Sequence, residues 1–367
     1  MTVHSEAQRL KRFETVFEMS RNRTTIREVS RLAEVSVATV SAVLNGKPAV
    51  SDELTKRVRH AIEALNYHPD FLARSLRMQR SGIMGIVMPQ FASSYYAEVL
   101  RGVEDVASQQ GYSILVSNSR GNAEQERKEI FALISRRVDG ILLATADPYF
   151  AYQRQFTRRF PLVLFDRFPP AFTGTVVATD NAGASFEATN HLIQLGHRRI
   201  AIIAGTQGIS AADERVEGFR RAMSEAGLAI HQEYLKYGDF NMKGGWECAL
   251  ELMKLPSPPT AIFSQNYEMT LGLMRALAEL GVPCPQQVSI LGFDDFVVGT
   301  DGFSWATMFS PKLTCVAQLS YEIGQRAAEA LLKKTQLRDG EDFSEEGFIR
   351  LSAELRIRES TAPPPAL

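Results

Sequence analysis

From residue 24 onward, apolar positions recur first with a helical period and then in a strand–helix rhythm. Ile26, Val29 and Leu32 lie on one helical face, and Thr25 with Glu28 forms a capping box at its start. Ser36 caps a second helix whose Val40, Val43 and Leu44 point inward. Ser51 caps a third, with Asp52 and Glu53 at its positive end and Leu54, Val58, Ile62 and Leu65 as its stripe. Roughly three residues separate the first two helices, which is the spacing of a helix-turn-helix.

Past Gly82 the pattern changes. Short β-branched runs at Ile83–Met88, Tyr112–Val116, Gly140–Ala144, Leu162–Phe165, Val176–Ala178, Ile200–Ala204, Ala261–Ser264 and Val288–Leu291 suit parallel strands buried on both faces. Between them, Tyr95–Gln110, Ala123–Arg136, Gly183–Leu195, Glu214–Ala226 and Tyr267–Leu280 carry helical periodicity. Gly111, Gly196, Gly227 and Gly281 stand where four of these helices end. Alternating βα units predict doubly wound α/β sheets, and the run is too long for a single one. The 367 residues as a whole predict two or three domains.

Charge separates the same two regions. Residues 1–80 carry a balance of +5 and the remainder −6, so a net charge of −1 hides a basic head on an acidic body. A basic head suits phosphate binding. Cys248, Cys284 and Cys315 lie far apart and read as reduced thiols, and neither they nor the histidines have metal-ligand spacing. His197, at the entrance to a strand, reads as structural. No apolar run reaches the roughly 18 residues of a membrane span, and no signal peptide opens the chain, so the expectation is a cytoplasmic protein without membrane contact. No phosphate loop, nucleophile elbow, metal motif or clustered triad supports an enzyme, and no cofactor is expected.

The loops after the strands gather a polar and aromatic set: Phe91, Tyr95 and Tyr96 after the first strand, Asp166 and Arg167 after the fourth, then Arg215, Phe240, Asn266 and Asp294. Ligands of open α/β sheets bind at such strand ends. Carboxylates, Asn and Arg pair with adjacent hydroxyls while an aromatic ring covers an apolar face, a mixture that suits a sugar.

The runs T-I-x-x-V, V-S-x-x-T-V-S-x-V-L-N-G and the trailing L-N-Y-x-P-x-x-x-A-R-S-L resemble the headpiece of the lactose/galactose-repressor (LacI/GalR) family of bacterial transcription regulators, and the similarity continues to about Arg358. The resemblance implies an N-terminal all-α helix-turn-helix headpiece with a hinge helix, and an α/β body of two lobes like a type I periplasmic-binding protein. The expected divisions are an N-terminal extension (1–22), the headpiece (23–67) and the hinge (68–80). The first lobe takes 81–181 with 313–340, the second 182–312 with 341–360, and a tail follows (361–367).

By the same resemblance the second helix enters the major groove of operator DNA. Val37, Ala38 and Ala42 face base edges, with Thr25, Ser36, Thr39, Ser41 and Asn45 near phosphates or bases. Arg74 and Leu76 belong to the hinge, where Leu76 would wedge into a central base step from the minor groove. Paired hinges imply a homodimer on a pseudopalindrome. The tail ESTAPPPAL carries no leucine heptad for a tetramer. Residues Phe91, Tyr95, Tyr96, Asp166, Arg167, Arg215, Phe240, Asn266 and Asp294 fall at effector-site positions.

Three departures stand out. Ala42 replaces the common Arg and offers only a methyl group, Glu34 replaces Gly or Asn in the turn, and Tyr267 follows Asn266 where most members carry Asp. The last either exchanges a pocket carboxylate for a phenol or turns the ring away. The function implied is sequence-specific transcription regulation, a repressor of carbohydrate-utilisation genes controlled by a small sugar-like effector. The alternative is a nucleobase corepressor or a phosphosugar signal. A pure solute-binding transport protein would leave the headpiece unexplained.

Overall fold

Three short helices, α1 (Ile26–Leu32), α2 (Val37–Leu44) and α3 (Asp52–Ala64), form the first of two compact units, 1–81 and 82–367. The computed structural model describes residues 24–44, 50–67, 80–149, 160–298, 302–336 and 347–366. The N-terminal extension and the hinge segment 68–79 lie outside them.

The capping box at Thr25 and Glu28 forms in both directions. The Ser36 and Ser51 hydroxyls accept from the backbone N–H of Thr39 and Leu54. Val29, Ala33, Val40, Val58, Ala61 and Tyr67 make a small core. Leu32 is not in it: it is 51% exposed, because α1 turns its Val29–Ala33 edge inward. Glu34 takes a φ of +51° at the C-terminal turn of α1, the place glycine usually fills. Arg57 steadies that turn by donating to the carbonyls of Ala33 (2.6 Å) and Glu34 (3.3 Å).

The second unit holds two six-stranded sheets. The first has the order β13-β5-β4-β3-β1-β2, from β1 (Ile83–Met88), β2 (Ser113–Asn118), β3 (Gly140–Leu143), β4 (Leu162–Phe165), β5 (Thr175–Thr179) and β13 (Gly347–Leu351). The second has the order β14-β12-β9-β8-β6-β7, from β6 (Ile200–Ala204), β7 (Leu235–Tyr237), β8 (Ala261–Ser264), β9 (Ser289–Phe293), β12 (Thr314–Ala317) and β14 (Glu354–Arg356). A two-stranded hairpin, β10 (Val297–Val298) with β11 (Phe303–Ser304), stands apart. All pairings in the large sheets are parallel except that of β14 with β12. Their central strands are buried on both faces, which accounts for the continuous apolar runs.

The helices are α4 (Ser94–Gln109), α5 (Ala123–Ser135), α6 (Asn181–Gln194), α7 (Ser210–Glu225), α8 (Met242–Met253), α9 (Tyr267–Glu279) and α10 (Ser320–Thr335). They pack as close pairs, α4 with α10, α6 with α7 and α8 with α9. At the first pair the backbones touch through glycine: a Cβ on Gly324 would sit 2.0 Å from the Val99 carbonyl oxygen.

The strand pairing corrects the expected division of the C-terminal third. The expected division gives residues 313–340 to the first lobe and 341–360 to the second. Instead β12 joins the second sheet beside β9, while α10 packs on α4 in the first lobe. β13 then extends the first sheet beside β5, and β14 returns to the second. The chain therefore crosses between lobes after β5, after β12 and after β13. The C-terminal segment is docked on the second lobe: Ser360 exchanges hydrogen bonds with Ile290 (2.8 and 2.6 Å), and in the expected tail the Ala362 carbonyl contacts Nε2 of His197 at 2.8 Å.

Candidate functional site

The DNA-facing set divides by what its groups already do. Thr25, Ser36 and Thr39 spend hydroxyl capacity on helix caps: Thr25 with Glu28, and Ser36 Oγ with Thr39 Oγ1 at 2.8 Å. Ala38 is exposed, and Val37, Ser41 and Ala42 are half-buried on the same helix. The first and last turns of α2 carry no acidic or basic residue, so its surface offers methyls and hydroxyls. Asn45, Arg74 and Leu76 lie outside the described residues.

In the body, the ends of β4 and β9 aim two carboxylates into the space between the lobes. Asp166 and Asp294 directly follow these strands with φ of +61° and +75°. A non-glycine residue in this region is unusual, and here the left-handed turn points each carboxylate out of its sheet. Each is held by an N–H donated to the neighbouring strand, to Val177 (3.0 Å) and Val316 (2.9 Å). Tyr96 donates to Asp166 at 2.5 Å, and Gln318 donates to Asp294 while accepting from Thr179 at 2.6 Å.

Two guanidiniums face these acids. Arg215, in the second turn of α7, is 3% exposed; it donates to Asn181 Oδ1 (2.8 Å) and the Gln265 carbonyl (2.5 Å) and lies 3.7 Å from the Phe293 ring centroid. Burial lowers its pKa against the pull of Asp294 and Asp166. Burial raises that of Asp294, opposed by Arg215 and by the Gln318 hydrogen bond. Arg167 stands 3.5 Å from Asp166 and over the Phe240 ring at 5.2 Å. Its Nε contact to Asp166 lacks hydrogen-bond geometry, so among the described residues that buried N–H has no acceptor, and the buried Tyr95 hydroxyl has no partner. Buried polar groups are normally satisfied. Two such atoms in one cavity call for a ligand that accepts hydrogen bonds.

The cavity is lined by Tyr95, Tyr96, Asp166, Arg167, Arg215, Phe240, Asn266 and Asp294, all of them among the residues expected there. It also takes in Gln90, Ser93, Ala211, Glu268 and Gln318, which were not. Phe91 does not line it and is 53% exposed. Asn266 is partly committed, since its side chain caps α9 at Met269 (2.9 Å) and donates to the Phe240 carbonyl (3.1 Å). Tyr267 turns away from the cavity onto Phe296 and Trp305, with centroids 4.9 and 6.0 Å distant, while the next residue, Glu268, brings a carboxylate back. Gln318 has no signal in the sequence because the strand before it, T-C-V-A, is only four residues long. Among the described residues no helix is long and apolar enough to cross a membrane, and no group of His, Cys, Asp and Glu could hold a metal ion.

Comparison with known proteins matches both regions. Residues 25–70 match the family model described as bacterial regulatory proteins, lacI family. Residues 81–349 match that of periplasmic binding proteins and the sugar binding domain of the LacI family. The chain is 34% identical to the HTH-type transcriptional repressor PurR of Pasteurella multocida, over 92% of this chain and 98% of that one. It is 33% identical to the ribose operon repressor of Escherichia coli, over 84% and 92%. A crystal structure of the lac repressor dimer bound to operator and the anti-inducer ONPF superimposes with a TM-score of 0.80 at 25% identity, covering 93% of this chain and 99% of that one.

Proposed function

Because the chain belongs to the LacI family of DNA-binding bacterial regulators, we propose that it is a cytoplasmic repressor of carbohydrate-utilisation genes, governed by a sugar-like effector held between its lobes. The observation that carries the choice of ligand is the convergence of Asp166 and Asp294 from opposite lobes on one cavity. Vicinal hydroxyls are donors for such carboxylates, and their oxygens are acceptors for Tyr95 Oη and the Arg167 N–H. Since each lobe supplies part of the set, an effector binds the closed arrangement more tightly and shifts the lobes toward it.

In this reading the protein is a homodimer on a pseudopalindromic operator. α2 lies in the major groove, with Val37, Ala38 and Ala42 against thymine methyls. Arg74 and Leu76 act from the hinge at the minor groove. Changed lobe geometry alters the pairing of the hinges and hence operator affinity. The ribose operon repressor among the relatives makes ribose and its derivatives the first effectors to try.

The test is thermal stabilisation by a panel of pentoses, hexoses, their phosphates and nucleobases. A neutral sugar should stabilise the wild type. Asp294→Ala and Arg215→Ala should each weaken that ligand by about 1.5–3 kcal/mol, the worth of a hydrogen bond to a charged group, with operator binding largely intact. Stabilisation by a nucleobase alone would favour the corepressor alternative. Unchanged ligand binding in both variants would remove the cleft assignment.

A further inference from the structure

Four residues on the two sides of the cleft meet across it. Gln90, in the loop after β1, donates from Nε2 to Oε1 of Glu268 at 3.0 Å. Tyr267 donates its hydroxyl to the same oxygen at 3.2 Å. The backbone N–H and hydroxyl of Ser94, the first residue of α4, also face the Tyr267 oxygen. Gln90 and Ser94 belong to the first lobe, and Tyr267 and Glu268 open α9 in the second. The Tyr267 ring is braced by the aromatic group of Phe296, Trp305 and Phe309 behind it. It therefore reaches the other lobe from a fixed base.

Position gives this cluster leverage. The chain passes between lobes at β5, β12 and β13, near one edge of each sheet. In the first sheet β1 lies three strands from β5, roughly 14 Å at ordinary strand spacing. Contacts beside the crossovers, such as Thr179–Gln318 and Gln318–Asp294, change little in a hinge rotation. Contacts at the β1 end must break.

We propose that Gln90, Ser94, Tyr267 and Glu268 form a latch that holds the lobes closed without ligand, with Glu268 as the specificity-determining carboxylate through which an effector meets the latch. This rests on the cleft being the effector site. Glu268 lines the cavity, and its Oε1 already accepts two donors. Oε2 has no partner among the described residues and is the atom offered to a ligand hydroxyl. The acid displaced by Tyr267 is thus restored one residue later, in a place where it also ties down the opposite lobe. Ligand affinity then contains the closed fraction as a factor, so weakening the latch weakens any cleft ligand in proportion.

The test needs no known effector. Dyes on azide-bearing residues replacing the exposed Glu124 and Glu247, one in each lobe, report the interlobe distance in full-length chain diluted into unlabelled chain. The wild type should show a substantial closed population beside an open one. Gln90→Ala should lower the closed-to-open ratio roughly tenfold, and Tyr267→Phe and Glu268→Gln somewhat less. Melting temperatures establish that the variants fold. A wild type open without ligand, or distance distributions identical in all four proteins, would overturn the latch. The sugar panel run on the same labelled proteins separates the two readings. If no compound moves the distance in the wild type while the variants still open it, the effector assignment fails and the latch stands. If a sugar closes the wild type but binds Glu268→Gln with unchanged affinity, the specificity role fails.

Discussion

The two lobes of the body follow one strand order and part company at their last strand. β4 in the first and β9 in the second occupy the same place, and each is followed by an aspartate in the left-handed region, Asp166 and Asp294. The residue after it differs. Arg167 turns into the cleft beside Asp166, whereas Asp295 is buried away from it. There Asp295 accepts from Arg356 (3.2 Å), Arg358 (2.5 Å) and Ser304. The difference matches the edges: β13 lies parallel on β5, while β14 runs antiparallel on β12 and carries Arg356, with Arg358 just beyond. The repeat places the first residue of each pair. What the neighbouring edge strand needs decides the chemistry of the second.

The comparison breaks if these second residues can be exchanged in effect. Asp295→Ala leaves two guanidiniums without their shared buried carboxylate and should destabilise the body by about 3 kcal/mol, as loss of one partner of a buried pair does. Effector affinity should hardly change. Arg167→Ala should do the reverse, sparing stability to within about 1 kcal/mol and reducing effector affinity. Urea unfolding and titration with whichever panel ligand binds would measure both, and equal destabilisation would void the contrast.

Much of this was legible from residue pattern. The caps at Thr25, Ser36 and Ser51 formed because local spacing determines them, and Gly111, Gly196, Gly227 and Gly281 all take positive φ after their helices. The cleft residues were found because strand ends are where a βα sheet exposes side chains. Long-range pairing was not legible. Nothing in F-I-R-L favours β5 over a strand of the other lobe, so the return of β13 to the first sheet went unseen. β7 is a three-residue strand with a lysine at its centre, too short for alternation to show. Glu268 was not legible for a related reason. A carboxylate in a helix's first turn ordinarily serves the dipole, and only the facing lobe gives it another task.

A smaller effect sharpens the comparison between helix layers. The α4–α10 pair of the first lobe and the α6–α7 pair of the second both close over glycine: a Cβ on Gly324 would lie 2.0 Å from Val99 O, and one on Gly218 2.2 Å from Ala182 O. In both cases the obstacle is backbone, which moves only if a helix moves. Gly324→Ala and Gly218→Ala should each cost about 1–3 kcal/mol as overpacking does. Calorimetry should show the loss falling on one lobe at a time if the lobes unfold separately. A single shared shift would mean that the three crossovers make them one cooperative unit.

The smallest expected effect concerns acid sensitivity, which should reside in one lobe. His191 and His197 both lie under the docked C-terminal segment of the second lobe, against Thr361 (3.0 Å) and Ala362 (2.8 Å), and 82–180 contains no histidine. Burial lowers the pKa of each, so in the folded state both are neutral at a pH where the unfolded chain already takes up protons. Above about pH 6.5 neither state binds the proton and stability is unaffected; as the pH falls below that value the unfolded state gains, and stability declines. Melting at pH 7.5 and pH 5.5 should therefore show a second-lobe loss of under about 1 kcal/mol from His197, on top of any change common to both lobes. His197→Gln keeps a side chain that can reach Ala362 but does not titrate, and should shrink the difference between the two pH values. If the variant and the wild type lose equal stability on acidification, His197 is not the group that responds, and the asymmetry between the lobes does not extend to pH.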